Sequence, residues 1–285
     1  MKILITLFII LILSSNAISQ VNPKENFDEG IRAFYDMKYN DAINYFNIYI
    51  QGMPNDYQGY MFKGLCYMGL KLYQDAQDQF DLAVRLQPFN SELLTYRAYL
   101  FLFRDMPERC DKDFTDAINS DINNIHAYMG KAINDFNEDR YQMALRFFDA
   151  AESLQVTSYW LYFMRGICYL YLDDSTKAYS DLEKSITLDP SNSLVNTSYS
   201  RQMDRNLILI YYTIILNVLD NFNKDIEKSP NNFIGYLGRA FIYLDLRKYD
   251  LAEDDIRIVH RLYKGNNPEL ESLIAKIRDN IKRYK

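Results

Sequence analysis

Two histidines, three cysteines and 38 acidic side chains are the groups this chain offers for catalysis or metal binding. A zinc site gathers Cys, His or carboxylate ligands at short, regular spacing. His126 and His260 stand far apart, with no Cys or carboxylate at ligand spacing beside either. The acidic runs Asp135–Asp139 and Glu253–Asp255 lack the glycine and the alternating ligands of a calcium loop, and read as solvated helix ends and turns. No glycine-rich phosphate loop, nucleophile elbow or HExxH helix occurs. Asn196-Thr197-Ser198 fits a glycosylation acceptor, a pattern too short to carry weight alone. The chain therefore reads as non-enzymatic, with no catalytic, metal-binding or cofactor-binding residue and no cofactor.

Its abundant chemistry is that of contact. There are 25 Tyr and 17 Phe, and 48% of residues are apolar, against 10 Gly and 7 Pro. Few turn formers and many large side chains favour long helices around an extensive core. With 25% charged residues and a mean hydropathy of −0.30, the bulk is that of a soluble protein.

The elements that must position these rings follow a fixed step. Ala42, Ala76, Cys110, Ala144 and Ala178 recur every 34 residues. Four positions after each comes a bulky apolar residue: Phe46, Phe80, Phe114, Phe148 and Leu182. Twelve before each comes a small one: Gly30, Gly64, Ala98, Ala132 and Gly166. Tyr39, Tyr73, Pro107 and Tyr141 stand three before the first four, and Pro54, Pro88 and Pro190 close three of the units. Two helices approach closely only where one presents a small residue and the other a large one, and proline stops a helix and sets the next turn.

This pattern resembles the tetratricopeptide repeat, most clearly over Tyr57–Pro88, where Gly64, Tyr67, Tyr73, Ala76, Phe80, Ala83 and Pro88 occupy the signature slots. The resemblance implies an all-α, right-handed α-solenoid of about seven helix hairpins plus a C-terminal capping helix. The units are expected at about 23–56, 57–90, 91–124, 125–158 and 159–192, then a degenerate 193–232 and a final 233–264. The degenerate unit follows from a phase slip: Ala178 to Ala252 exceeds two steps by six residues, an insertion placed near 191–200. Its helices are expected at about Gln202–Leu216 and Val218–Lys228. Residues 265–285 read as the cap, with Asn267 and Pro268 at its start and Leu270, Leu273, Ile274, Ile277 and Ile281 as one apolar stripe.

In the family it resembles, the first helix of each unit lines a concave groove that holds a peptide or helix. The slots here are Phe27, Phe34 and Tyr35; Met61 and Phe62; Tyr96, Tyr99 and Phe103; Met129 and Phe136; and Trp160, Phe163 and Tyr171. Ile31, Leu65, Ile133 and Ile167 serve helix packing as readily as partner contact. Phe27, Tyr35, Phe103, Trp160 and Tyr171 are expected to be exposed. The carboxylate clamp that some family members use on chaperone C-termini needs Lys or Arg plus Asn, where this chain has Phe27, Ile31, Phe62 and Leu65.

Residues 1–19 read as a secretory signal peptide: Lys2, an apolar run from Ile3 to Leu13, and small residues before Gln20. The apolar run is about half the length of a membrane span, so no stable membrane insertion is expected after cleavage. Without Lys2 the chain has 31 basic and 38 acidic residues, a net charge of −7 that argues against nucleic acid. Cys66 and Cys168 occupy equivalent slots three steps apart, and Cys110 replaces the small residue of its unit, so all three serve packing. The expectation is a protein-interaction scaffold or adaptor outside the cytoplasm, in a bacterial periplasm or secreted, with a protein or peptide in an aromatic-lined groove. The alternative is a carrier or chaperone that shields apolar segments of exported polypeptides. A groove filled by the chain's own C-terminal helix or by a second copy is a third reading.

Overall fold

The computed structural model describes residues 22–155, 158–188, 206–263, 265 and 267–284. The expected signal peptide, Pro190, the insertion near 191–200 and Asn196 lie outside the described residues. Among the described residues there are fourteen α-helices and no strand. They form two compact bodies that divide after Pro88.

The first body contains α1 (Pro23–Tyr35), α2 (Tyr39–Gly52), α3 (Tyr57–Gly69) and α4 (Tyr73–Leu86). The second begins with α5 (Ser91–Phe103), α6 (Pro107–Ser120), α7 (Ile125–Asn137), α8 (Tyr141–Ser153), α9 (Tyr159–Tyr171) and α10 (Ser175–Thr187). It ends with α11 (Asn206–Lys228), α12 (Phe233–Asp245), α13 (Tyr249–Leu262) and α14 (Pro268–Tyr284). Each body is a set of helix hairpins of the solenoid type.

Helix boundaries repeat with the packing residues. Asn22, Asp56, Asn90, Asn124 and Asn232 cap the first helices of five units, each accepting a backbone N–H of the first turn at 2.9–3.1 Å. Each of these helices ends in the same left-handed residue, at Met37, Lys71, Asp105, Asp139 and Arg247, and α9 does so at Asp173. At the end of α3 the Lys71 N–H donates to the Met68 carbonyl and the Leu72 N–H to the Tyr67 carbonyl, both at 2.9 Å. That double bond pattern normally recruits glycine, because an L side chain is strained at positive φ. Met53 and Gln87, which precede Pro54 and Pro88, leave the helical region at ψ 64° and 76° and end α2 and α4.

The close approach expected between paired helices is present. A Cβ at Gly64 would stand 2.9 Å from Cε1 of Phe80, and Ala76 and Phe80 are fully buried. Cys66, Cys110 and Cys168 are likewise fully buried, and burial pushes their thiols above the usual range.

Three features depart from an unbroken stack. The degenerate unit is one continuous helix, α11, where two were expected. Position 213, one step of 34 before the left-handed Arg247, is helical in the β-branched run Thr213-Ile214-Ile215, which resists positive φ. The second half of α11 still keeps the repeat frame: Val218 and Phe222, 34 before Ala252 and Ile256, are fully buried. A Cβ on Gly238 of α12 would stand 2.3 Å from Cζ of Phe222.

The last hairpin turns back on the fifth unit. Phe163 of α9 stacks on Phe241 of α12 at 4.9 Å, and Tyr159, one turn earlier, faces Asp245, one turn later. These two helices therefore run antiparallel. The third departure concerns α14. Its stripe of Leu270, Leu273, Ile274, Ile277 and Ile281 is buried as expected, and Asn267 caps it at 2.9 and 3.1 Å. It packs on α10 of the fifth unit as well as α13 of the last, with Lys276 paired to Glu183 and Arg278 3.3 Å from Glu253.

Two substitutions test this packing. Gly64→Leu drives a side chain into the fully buried Phe80 ring and is expected to cost about 2 kcal/mol in denaturant unfolding. Lys71→Gly relieves a left-handed, exposed position and is expected to stabilise the chain by about 0.5–1 kcal/mol.

Candidate functional site

In the first body the candidate side chains meet one another. Phe27 stacks obliquely on Tyr49 at 4.8 Å and lies 5.6 Å from Phe62, which also contacts Phe34 at 5.8 Å. Tyr35 contacts Phe34 at 5.4 Å. Phe34, Met61 and Phe62 are buried, while Phe27 and Tyr35 are half-buried. These rings bind α1, α2 and α3 together.

In the second body the candidates lie on α5, α7 and α9. Their burial differs from that of their partner helices. On α10 the buried residues occupy one face, as in a helix with solvent behind it. On α9 every residue from Tyr159 to Cys168 is buried. A helix buried all round has something packed on both sides.

The covering elements are α11 and α12. Phe222 of α11 contacts Phe136 at 5.9 Å and Phe163 at 6.3 Å, and Phe241 covers Phe163 from α12. Asn137, the last residue of α7, donates to Asn217 at 2.9 Å and accepts from Asn221. The Tyr171 hydroxyl donates to Asp225, and its ring stacks on Tyr141 at 4.4 Å and 3°. Burial, and then the Asp225 carboxylate, push the Tyr171 hydroxyl up, which keeps it a donor at neutral pH. Helix α11 also packs on α5.

The expectation of an exposed row therefore needs correction. Trp160 is 1% exposed, and Phe27, Tyr35, Phe103 and Tyr171 are half-buried. Tyr96, Tyr99, Met129, Phe136 and Phe163 are buried, as are Leu65, Ile133 and Ile167, while Ile31 is half-buried. Some of these side chains tie units together: Tyr99 packs edge-on against Phe114 at 5.0 Å and donates to the His126 carbonyl at 2.8 Å. For Phe136, Phe163 and Tyr171 the reason is tertiary. The chain places its own α11 and α12 over the wall that α7 and α9 present.

Sequence reasoning also missed a set of buried ion pairs. Arg97–Asp113, Arg165–Asp181 and Arg239–Asp255 are bidentate, at 2.6–3.0 Å, and join the two helices of alternate units. Arg165 reaches Asp149 and Arg239 reaches Asn223 in the preceding unit, both at 2.9 Å. The signal was present: each Arg precedes a small-residue slot, each Asp precedes a bulky slot, and 16 positions separate them. These pairs fix one register between helices. Among the described residues no three Cys, His or carboxylate groups are placed to hold a metal.

The contact between α9 and α12 buries a carboxyl. Asp245 is 5% exposed and Tyr159 6%, and the Tyr159 hydroxyl faces the Asp245 carboxyl, while Nε1 of the neighbouring Trp160 makes no hydrogen bond. Burial pushes the Asp245 carboxyl up to about 6, a rise that the Tyr159 hydroxyl opposes.

The tetratricopeptide repeat model matches residues 57–90 and 161–192. No curated protein matches the chain. Among solved structures, a tetratricopeptide repeat protein from Parabacteroides merdae is similar over 93% of this chain and 88% of its own, with 15% identity and a TM-score of 0.56. MamA from Desulfovibrio magneticus, residues 41 to the end, is similar over 59% of this chain and 96% of its own, with 16% identity and a TM-score of 0.54. YrrB, described as a TPR protein with an unusual peptide-binding site, covers 62% of this chain and 92% of its own, with 18% identity and a TM-score of 0.51. At such identities the likeness is one of fold.

The buried Asp245 carboxyl makes stability depend on pH. Its carboxyl titrates higher in the folded chain, at about 6, than its ordinary 3.8, so folding takes up a proton between those values. Its contribution is most favourable below about pH 4 and declines as the pH rises to about 6. Asp245→Asn is expected to stabilise the chain by about 2 kcal/mol at pH 7.5 and hardly at all at pH 4. Denaturation midpoints of both chains at the two pH values check this, and an equal difference at both would contradict it.

Proposed function

We propose that this chain, which is a tetratricopeptide-repeat protein, is a non-catalytic interaction scaffold exported from the cytoplasm, with another protein as its partner. The observation that carries the reading is the aromatic inner wall of the second body, where Phe136, Phe163 and Tyr171 engage a helix mainly through side chains. Aromatic side chains give large contact areas at little conformational cost, which suits them to protein interfaces. The description of YrrB as peptide-binding supports a peptide or helix as the bound element. Export rests on the N-terminal sequence pattern. No helix among the described residues is long and apolar enough to cross a membrane.

The acidic balance argues for a protein partner over nucleic acid. The carrier reading stays attached to the same wall and differs in selectivity: a scaffold retains one or a few partners, whereas a carrier retains many unfolded chains.

Capture from an envelope extract by the mature protein, compared with its Phe103→Ser/Tyr171→Ser variant, tests the scaffold. Both positions are half-buried, so the helical circular dichroism is expected to persist. The expected result is a small set of proteins at near-stoichiometric yield, reduced at least about 10-fold by the variant, the scale of an interface anchor. Equal capture by both chains would overturn the assignment to this wall, and a broad set of unfolded clients would favour the carrier.

A further inference from the structure

Helix α11 makes two kinds of contact. Paired helices in this fold meet through steric notches such as Gly64 against Phe80. Helix α11 uses such a notch toward α12, where Phe222 enters the space above Gly238. Toward α7 and α9 it uses a different contact. Asn217, Asn221 and Asp225, spaced by four and so on one face, meet Asn137, Asn137 and Tyr171. An apolar stripe of Ile214, Val218 and Phe222, all fully buried, runs beside that polar row. The result is an amphipathic helix laid on an aromatic wall, with a row of side-chain hydrogen bonds along one margin.

This contact is not closed along its polar margin. A cleft of about 170 Å³ remains at its edge, with Phe136, Asn137 and Tyr141 on one side and Asn221, Phe222 and Asp225 on the other. The wall is occupied by a helix of the chain itself, with an open cleft along its polar margin.

We infer that α11 is an intramolecular occupant of the α7–α9 wall, and that the external partner is an amphipathic helix of the same pattern that takes its place. This rests on the interaction-scaffold reading and specifies it. The partner carries an apolar row at i, i+4 and i+8 beside amide or carboxylate side chains at the same spacing, facing Asn137 and Tyr171. A tethered occupant acts at an effective concentration on the order of 1 mM, so a partner of ordinary affinity is held off until it matches the wall better than α11 does.

A synthetic peptide with the sequence of residues 206–228, labelled with fluorescein, is the probe. Asn221→Arg/Asp225→Arg in the full chain removes the polar row of the internal helix and leaves the wall unchanged. Fluorescence anisotropy is expected to show the peptide binding this variant about 100-fold more tightly than the native chain, following loss of the tethered competitor. Adding Asn137→Ala and Tyr171→Phe on the wall is expected to weaken that binding at least about 10-fold, the scale of lost charge-assisted bonds. No gain in peptide binding by a folded Asn221→Arg/Asp225→Arg chain would overturn the inference.

Hydrogen exchange on the unaltered chain decides the case if that variant does not fold. The expected result is that residues 218–228 open while α7 and α9 stay protected. Simultaneous exchange of all three would overturn the inference. Peptide binding without any envelope partner would retain α11 as an occupant and remove the scaffold role, so the two proposals fail separately.

Discussion

A small residue opposite a ring is the interaction on which everything else here depends. Gly64 against Phe80 and Gly238 against Phe222 leave no room for even a methyl group, so the helices that carry them lie at the closest spacing available. At that spacing each hairpin has a fixed shape, and the order of its neighbours follows. The buried Arg–Asp pairs add register: Arg165 between Asp181 and Asp149 permits one alignment of helices that apolar packing alone would leave free to slide. Stability of this kind is shared between neighbours, since no single hairpin can cover its own apolar face.

That same dependence explains the function proposed for the wall. A helix hairpin exposes one side of its first helix unless something covers it, and here α11 and α12 cover α7 and α9. The cover is a repeat that has lost its internal turn. Thr213-Ile214-Ile215 occupies the place where other units hold a left-handed residue, so the chain continues as one helix where it would otherwise reverse. Its second half keeps the packing residues of a normal unit, Val218 and Phe222, and adds an amide and carboxylate row that normal units lack. The missing turn thus accompanies both the cover and its specific contacts.

Much of this was legible in the sequence, because steric slots are local and periodic. The 34-residue frame located the hairpins, Asn267-Pro268 located the last helix, and the burial of all three cysteines followed from their slots. The Asn and Asp caps and the Arg–Asp pairs lay in the same frame and were equally readable. What sequence could not show was which side of the wall stays open. Asn137 and Asn221 are 84 positions apart, and nothing near either residue announces the other. The exposure expected for Trp160 failed for that reason: an aromatic residue on the inner face reads the same whether it waits for a partner or already has one.

Trp160 is also the means of deciding the matter, being the only tryptophan in the chain. It lies on α9 at 1% exposure, against Tyr159 and Phe163. Tryptophan emission and acrylamide quenching of the isolated protein measure whether the wall is covered. The account predicts a blue-shifted emission that quencher barely reaches, rising to full accessibility on unfolding in denaturant. A red-shifted, freely quenched emission from the folded chain would mean that the face of α9 that carries Trp160 and Phe163 stands open, against a covered wall.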